Sequence, residues 1–171
     1  MDQVRDNQVE EVTPDTIFHS GDKVRISIES NDSAYLYVIQ QGSSGRWKLL
    51  FPTKEIPGSR STIEKGAVLQ IPAREAWFAF GGSPGVEKIY LFLSRRPEPD
   101  LEKMLQGSDK DRDPASLEKA TGTIRSEVVP ARDLVFEKPT GGRSGDKAGY
   151  VVDPTGKAES RVVVDLNLTH R

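Results

Sequence analysis

Two histidines, His19 and His170, are the first residues to test for chemistry. Hydrolysis by a Ser-His-Asp triad needs an oriented imidazole against an activated serine. His19 falls in a turn and His170 is next to last, so both read as surface residues. Their contexts are unrelated and offer no metal-ligand spacing. The chain has no cysteine, which removes disulfides, thiolate metal sites and cysteine nucleophiles. The glycine-rich stretch Gly141-Gly142-Arg143-Ser144-Gly145-Asp146-Lys147 invites comparison with a phosphate cradle, but no Gly-Lys-Ser/Thr triplet completes it. It reads as a flexible hairpin loop. The turn Gly81-Gly82-Ser83-Pro84-Gly85 precedes a strand-like run, so it lacks the helix N-terminus that would hold an anion.

Carboxylates are plentiful, with Asp22, Glu29, Asp32, Glu55, Glu64, Glu75 and Glu87 in or near strand-like segments. A glycosidase needs two at a set separation, whereas acids on alternate strand positions ordinarily form the solvated face. Ser108 to Asp113 resembles a calcium loop only loosely, lacking its glycine and distal glutamate. These tests yield no catalytic residue, no metal ligand and no cofactor site. The aromatics offer more. Trp47, Trp77 and Tyr35 fall on strand-like segments, where an exposed ring stacks on a sugar or anchors a partner protein. Filling the core is the competing role, and the sequence leaves both open.

The segments that would position these residues are short and β-like. In Lys23 to Ser30, Val24, Ile26 and Ile28 alternate with polar residues, the period of a half-buried strand. Before it, Ser20-Gly21-Asp22 reads as a turn. Ala34 to Gln40 is apolar on both faces and reads as a central strand. Further strands are expected at Trp47 to Phe51, Ala67 to Ile71, Ala76 to Phe80 and Lys88 to Leu93. Six strands between Gly, Pro and Asn turns predict a sandwich or barrel. Residues 1–16 are polar and read as a flexible lead-in.

After Pro97 the pattern changes. Asp100 reads as a helix cap before Leu101, Met104 and Leu105, with Gly107 as the stop; Pro114 to Ala120 reads as a second short helix. Both are too short to stand alone and are expected on the edge or end of the sandwich. Val128-Val129, Leu134 to Phe136 and Tyr150 to Val152 look strand-like. Arg161 to Leu168 alternates again and is expected to pair back into the sheet laid down by the first half of the chain. The predicted core is Val24, Ile26, Ile28, Tyr35, Tyr37, Ile39, Leu50, Leu69, Ile71, Phe78, Phe80, Ile89, Leu91 and Leu93.

The bulk properties suit one domain spanning 17–171. The chain has 171 residues, 35% hydrophobic and 29% charged, with a net charge of −2. Lys and Arg are interspersed with acids rather than clustered, which disfavours nucleic acid and anionic membrane surfaces as partners. No stretch approaches the roughly 20 apolar residues of a membrane-spanning helix. The N-terminus lacks the apolar centre of a signal peptide, so the chain is either cytoplasmic or written here without its leader.

Several ordered pieces share one likeness: Phe18-His19-Ser20-Gly21-Asp22-Lys23-Val24-Arg25, then Asn31-Asp32-Ser33-Ala34-Tyr35-Leu36-Tyr37-Val38, then Leu50-Phe51-Pro52. Ile63, Gly66, Ile71-Pro72 and Pro84-Gly85-Val86-Glu87 continue it. Over about residues 17–95 the chain resembles the bacterial family catalogued as domain of unknown function 4384. That resemblance implies an appendage of envelope-associated or secreted proteins, periplasmic or secreted with a cytoplasmic location left open, and with no established catalytic residues to carry over. The combined expectation is an all-β protein, an immunoglobulin-like β-sandwich with two short peripheral α-helices. Its expected role is non-enzymatic binding of a protein or an envelope polymer, through a sheet edge or through Trp47, Trp77 or Tyr35. Carbohydrate binding by those aromatics, or hydrolysis by paired carboxylates, are the alternatives.

Overall fold

The computed structural model describes residues 1–5, 8–53, 60–73, 76–81, 84–106, 113–128, 135–137, 148–150 and 161–171. Two five-stranded antiparallel sheets share one interior. The first sheet contains β1 (Asp2–Arg5), β2 (Gln8–Glu11), β3 (Lys23–Glu29), β7 (Val68–Ile71) and β8 (Phe78–Ala79). The second contains β4 (Ala34–Gln41), β5 (Trp47–Phe51), β6 (Thr62–Ile63), β9 (Gly85–Ser94) and β12 (Arg161–His170). Strand order is β2-β1-β3-β7 in the first, with β8 also on β3, and β12-β9-β4-β5 in the second, with β6 also on β4. A separate hairpin pairs β10 (Val135–Glu137) with β11 (Ala148–Tyr150). The helices are α1 (Pro99–Gln106) and α2 (Pro114–Glu127).

Alternation decides which side chains enter the sandwich. Val24 and Ile26 of β3 point inward to meet Leu36 and Val38 of β4, Ile89 and Leu91 of β9, and Leu166 and Leu168 of β12. Turn chemistry fixes the connections. Gly21, Gly45 and Gly66 hold positive φ angles, which a side chain would strain. Asp22 organises the first of these turns by accepting from the His19 N–H and the Gln3 amide.

Strand β4 is buried on both faces, as its sequence predicts. The faces are the reverse of the expected assignment. Leu36 and Val38 fill the sandwich, while Tyr37 and Ile39 look outward into a second apolar layer. An alternation apolar on both faces cannot say which face is which. The second layer is built by the helices: Leu101, Met104, Leu117, Ala120 and Ile124 cover Tyr37, Ile39, Tyr90, Phe92 and Val163. The helices therefore lie on the outward face of the second sheet rather than on an edge or end. Pro99 and Asp113 set their starts. Asp100 lies within the first turn of α1 rather than capping it, whereas the Asp113 carboxylate accepts from the N–H groups of Ala115 and Ser116. Helix α2 runs a full turn and more past the predicted end at Ala120.

Residues 1–16, read as a flexible lead-in, instead supply β1 and β2, and Gln3 is buried. Their ladder comes from backbone pairing with β3, which polar side chains do not announce. Strand β12 does return to the early strands, pairing with β9 along its whole length from Arg161↔Ser94 to His170↔Gly85. Its last turn of chain also meets Phe18, whose N–H bonds the Thr169 carbonyl at 2.9 Å. The glycine-rich stretch 141–147, the Ser108–Asp113 run up to Arg112, and the strand-like readings at Val129, Leu134 and 151–152 lie outside the described residues.

Candidate functional site

The outward face of the second sheet is closed by helices. The outward face of the first is not, among the described residues. On β3, Arg25 alternates with inward Val24 and Ile26 and so stands on that outward face. Its guanidinium carbon lies 4.3 Å from the centroid of the Trp77 ring, a cation–π contact. On the other side its Nη2 is 3.6 Å from the Asp2 carboxylate. Register sets Asp2 opposite Arg25, and Glu11 opposite Asp2. One row across the sheet therefore reads Glu11, Asp2, Arg25, Trp77. The next row, by the same register, is Val9, Val4, Lys23, Ala79. Val9 is 62% exposed. Charged, aromatic and apolar groups thus share one sheet face, the mixture by which protein surfaces recognise partners.

The other two sequence candidates lie elsewhere. Trp47, on β5, stacks on Tyr90 at 5.5 Å between centroids and 16° between planes, and Arg125 of α2 covers Tyr90 at 5.3 Å. Burial raises the Tyr90 hydroxyl above its ordinary range, against the opposing pull of Arg125. Tyr35 packs against the same helix-side layer. The three aromatics are therefore not brought together: Trp77 belongs to the open face of the first sheet, Trp47 and Tyr35 to the covered side of the second.

A polar seam joins the helices to the second sheet. The Tyr37 hydroxyl donates to Glu102 Oε1 at 2.6 Å and accepts from the Glu98 N–H at 3.1 Å. Ser61 Oγ donates to the same Glu102 oxygen at 2.5 Å. Burial first, then the bond to Glu102, holds the Tyr37 hydroxyl well above the ordinary tyrosine range. Beside it, Arg161 of β12 donates to Glu98 at 2.7 Å and to Glu127 at 2.6 Å. Arg125 donates to Asp165 at 2.6 Å. Every group here is matched to a partner, so the seam reads as structure.

His19 is exposed as expected. His170 is not a surface residue: it is 2% exposed, tilted against Phe80 at 5.4 Å between ring centroids. Its inward strand parity buries it. Its Nε2 stands 3.6 Å from Glu87 Oε1, too long for a hydrogen bond. Glu87 is engaged instead by the Gln40 amide at 2.8 Å and the Ser43 N–H at 3.1 Å. Of the other acids, Glu64 accepts from Ser33, and Asp32 pairs with Arg95 at 3.3 Å. Glu55 and Glu75 lie outside the described residues. No group of three potential metal ligands occurs among the described residues.

Gly81-Gly82-Ser83-Pro84-Gly85 has the spacing of a nucleophile elbow, Gly-x-Ser-x-Gly. That motif works on a strand-to-helix turn, and here strand β9 follows. Ser83 itself lies outside the described residues. Sequence reasoning missed Arg25 and Asp2. Arg25 had a signal, since it alternates with two core residues on a predicted strand. Asp2 had none once residues 1–16 were read as lead-in.

Residues 17–97 match the family model described as Domain of unknown function (DUF4384), which bears out the resemblance seen over residues 17–95. The match contains β3 to β9 and ends before α1, α2 and β12. No curated protein and no solved structure matches the chain. No helix among the described residues is long and apolar enough to cross a membrane.

Proposed function

We propose that the chain is a non-enzymatic interaction module of the bacterial cell envelope. It engages a protein or an envelope polymer on the outward face of its first sheet. One observation carries this reading: of the two outward sheet faces, the helices take one, and the other presents the row Glu11, Asp2, Arg25, Trp77. The test is photo-crosslinking from position 23, on that face, and from position 119, exposed on α2. A discrete adduct from position 23 alone, lost with Trp77→Ala, is the expected result. No adduct from position 23, or the same adducts from both positions, would overturn it.

A carbohydrate partner is the narrower form of this reading. It is favoured by Trp77, an aromatic on that face that is only partly buried. Trp47 already stacks on Tyr90. A glycan that shifts tryptophan emission in the wild type but not in Trp77→Phe supports stacking. A shift surviving that substitution refutes it.

A further inference from the structure

We infer that β12 is a self-association edge, where two copies of the chain join antiparallel into one continuous sheet. This inference stands apart from the open face of the first sheet, since it uses backbone at the border of the second. Strand β12 ends the order β12-β9-β4-β5, and β9 pairs with it along one side. On the other side Phe18 makes a single parallel bridge at His170. The Phe18 N–H bonds the Thr169 carbonyl, and the Arg171 N–H bonds the Phe18 carbonyl. Backbone groups alternate sides along a strand, so Val163, Asp165 and Asn167 direct theirs to that same side. Among the described residues no backbone group pairs with them there.

The other long borders are blunted. Strands β2, β5 and β7 have 4, 5 and 4 residues, against 10 in β12. Strand β2 carries Glu10 and Glu11, and Pro52 and Pro72 follow directly on β5 and β7. Short length, charge and proline are the devices that keep sheet borders from pairing. Strand β12 has charges too, but they are drawn towards the helices: Arg161 reaches Glu98 and Glu127, and Asp165 receives Arg125. Its backbone is left as a template for another strand.

The strand that fits is β12 of a second copy, because its sequence is self-complementary in charge. With a two-fold axis at Val163, Arg161 lies opposite Asp165 of the second copy, and Asp165 opposite its Arg161. Val162 faces Val164, and Val163 faces its own equivalent. Opposite charges and β-branched pairs are favourable cross-strand neighbours. An axis at Val164 would set Asp165 against Val163, and an axis at Asp165 would set that carboxylate against itself. The axis at Val163 also keeps the contact clear of the seat of Phe18. Both charges have room for the new pair: the side chains of Arg161 and Asp165 are 31% and 36% exposed. Arg161 uses Nε and Nη1 on its present carboxylates, which leaves Nη2 for a third.

The test is sedimentation equilibrium of the full chain, with residue-resolved amide exchange. A concentration-dependent dimer is expected. The Val163 and Asp165 amides should exchange more slowly in the dimer than in the monomer, while those of Val162 and Val164, which face β9, stay unchanged. Asp165→Pro deletes an N–H that the β9 ladder does not use, a change that border strands tolerate. It acts twice about the axis and removes both Arg161–Asp165 pairs, so it is expected to weaken association at least about tenfold. Asp165→Asn serves if the proline variant does not fold: it keeps the backbone bonds, and its weakening should be greater at low salt than at high salt. A wild type that stays monomeric, or a dimer that a folded Asp165→Pro leaves intact, overturns the inference. Val163 and Asp165 amides protected equally at every concentration also overturn it, since the chain's own residues would then cover the edge.

Discussion

Replacing Tyr37 by Phe asks how much the seam between helices and sheet is worth, because it deletes one oxygen and keeps the ring. That oxygen accepts from the Glu98 N–H and donates to Glu102. Tyr37 is fully buried, so water cannot take its place. Losing the acceptor leaves a buried backbone N–H unmatched, at about 1–3 kcal/mol. Losing the bond to a carboxylate would cost about as much again, but Ser61 still donates to the same Glu102 oxygen and limits the loss. The expected destabilisation is about 2–3 kcal/mol, or about 5–10 °C in Tm for a chain of this size. Urea unfolding at pH 8 measures it. Ser61→Ala and the double variant complete a cycle whose cost exceeds the sum of the singles, since together they strip Glu102 of both donors. The pH dependence adds a second check. The folded Tyr37 hydroxyl is raised above its unfolded value by burial and by Glu102. Its contribution is therefore complete below the unfolded pKa of about 10 and declines as pH climbs above it. The gap between wild type and Tyr37→Phe should narrow from pH 8 to pH 10.5. A loss below about 0.5 kcal/mol, the level of an ordinary surface change, would refute the reasoning, as would a gap that is constant across that pH range.

Two further substitutions test the packing. A Cβ at Gly85 would lie 2.6 Å from the Ser43 Cβ, so Gly85→Ala should cost about 1–3 kcal/mol by overpacking and Ser43→Gly should restore most of it, as read from denaturant midpoints. Leu36→Ala should cost about 2–5 kcal/mol in the same assay, because Leu36 is 1% exposed in the sandwich interior; a cost near that of a surface site would refute its burial there.

How much of the fold was legible depended on whether side-chain pattern and burial carried the same information. In β3 they did: Val24 and Ile26 go inward, and Arg25 goes out. In β4 they did not. Apolar residues at consecutive positions announce a strand buried on both sides but not which layer each side meets. That needed the helices, and their location needed β12, because Arg161 and Asp165 hold α1 and α2 over the sheet. The opening hairpin was invisible for a different reason. Its contribution is backbone ladder and one buried amide, Gln3, bonded to Asp22 nineteen residues on. His170 was misread as surface for its place in the chain, although Val164, Leu166 and Leu168 at alternate positions already put it on the inward side.

The sequence offered strand aromatics as candidates without their places. Residue type does not distinguish a ring that packs under a helix from one that faces outward. Trp47 and Trp77 separate only in three dimensions. Trp47 opens β5 and Trp77 lies just before β8, and each meets a neighbour. For Trp47 the neighbour is Tyr90, and the contact is part of the layer that closes the second sheet. For Trp77 it is Arg25, itself held by Asp2 from the opening hairpin. A guanidinium fixed between a ring and a carboxylate loses little further entropy when a partner binds beside it, since long charged side chains otherwise give up conformational freedom on contact. That preorganisation is what favours the first sheet, rather than the more aromatic second one, as the face of the proposed interaction.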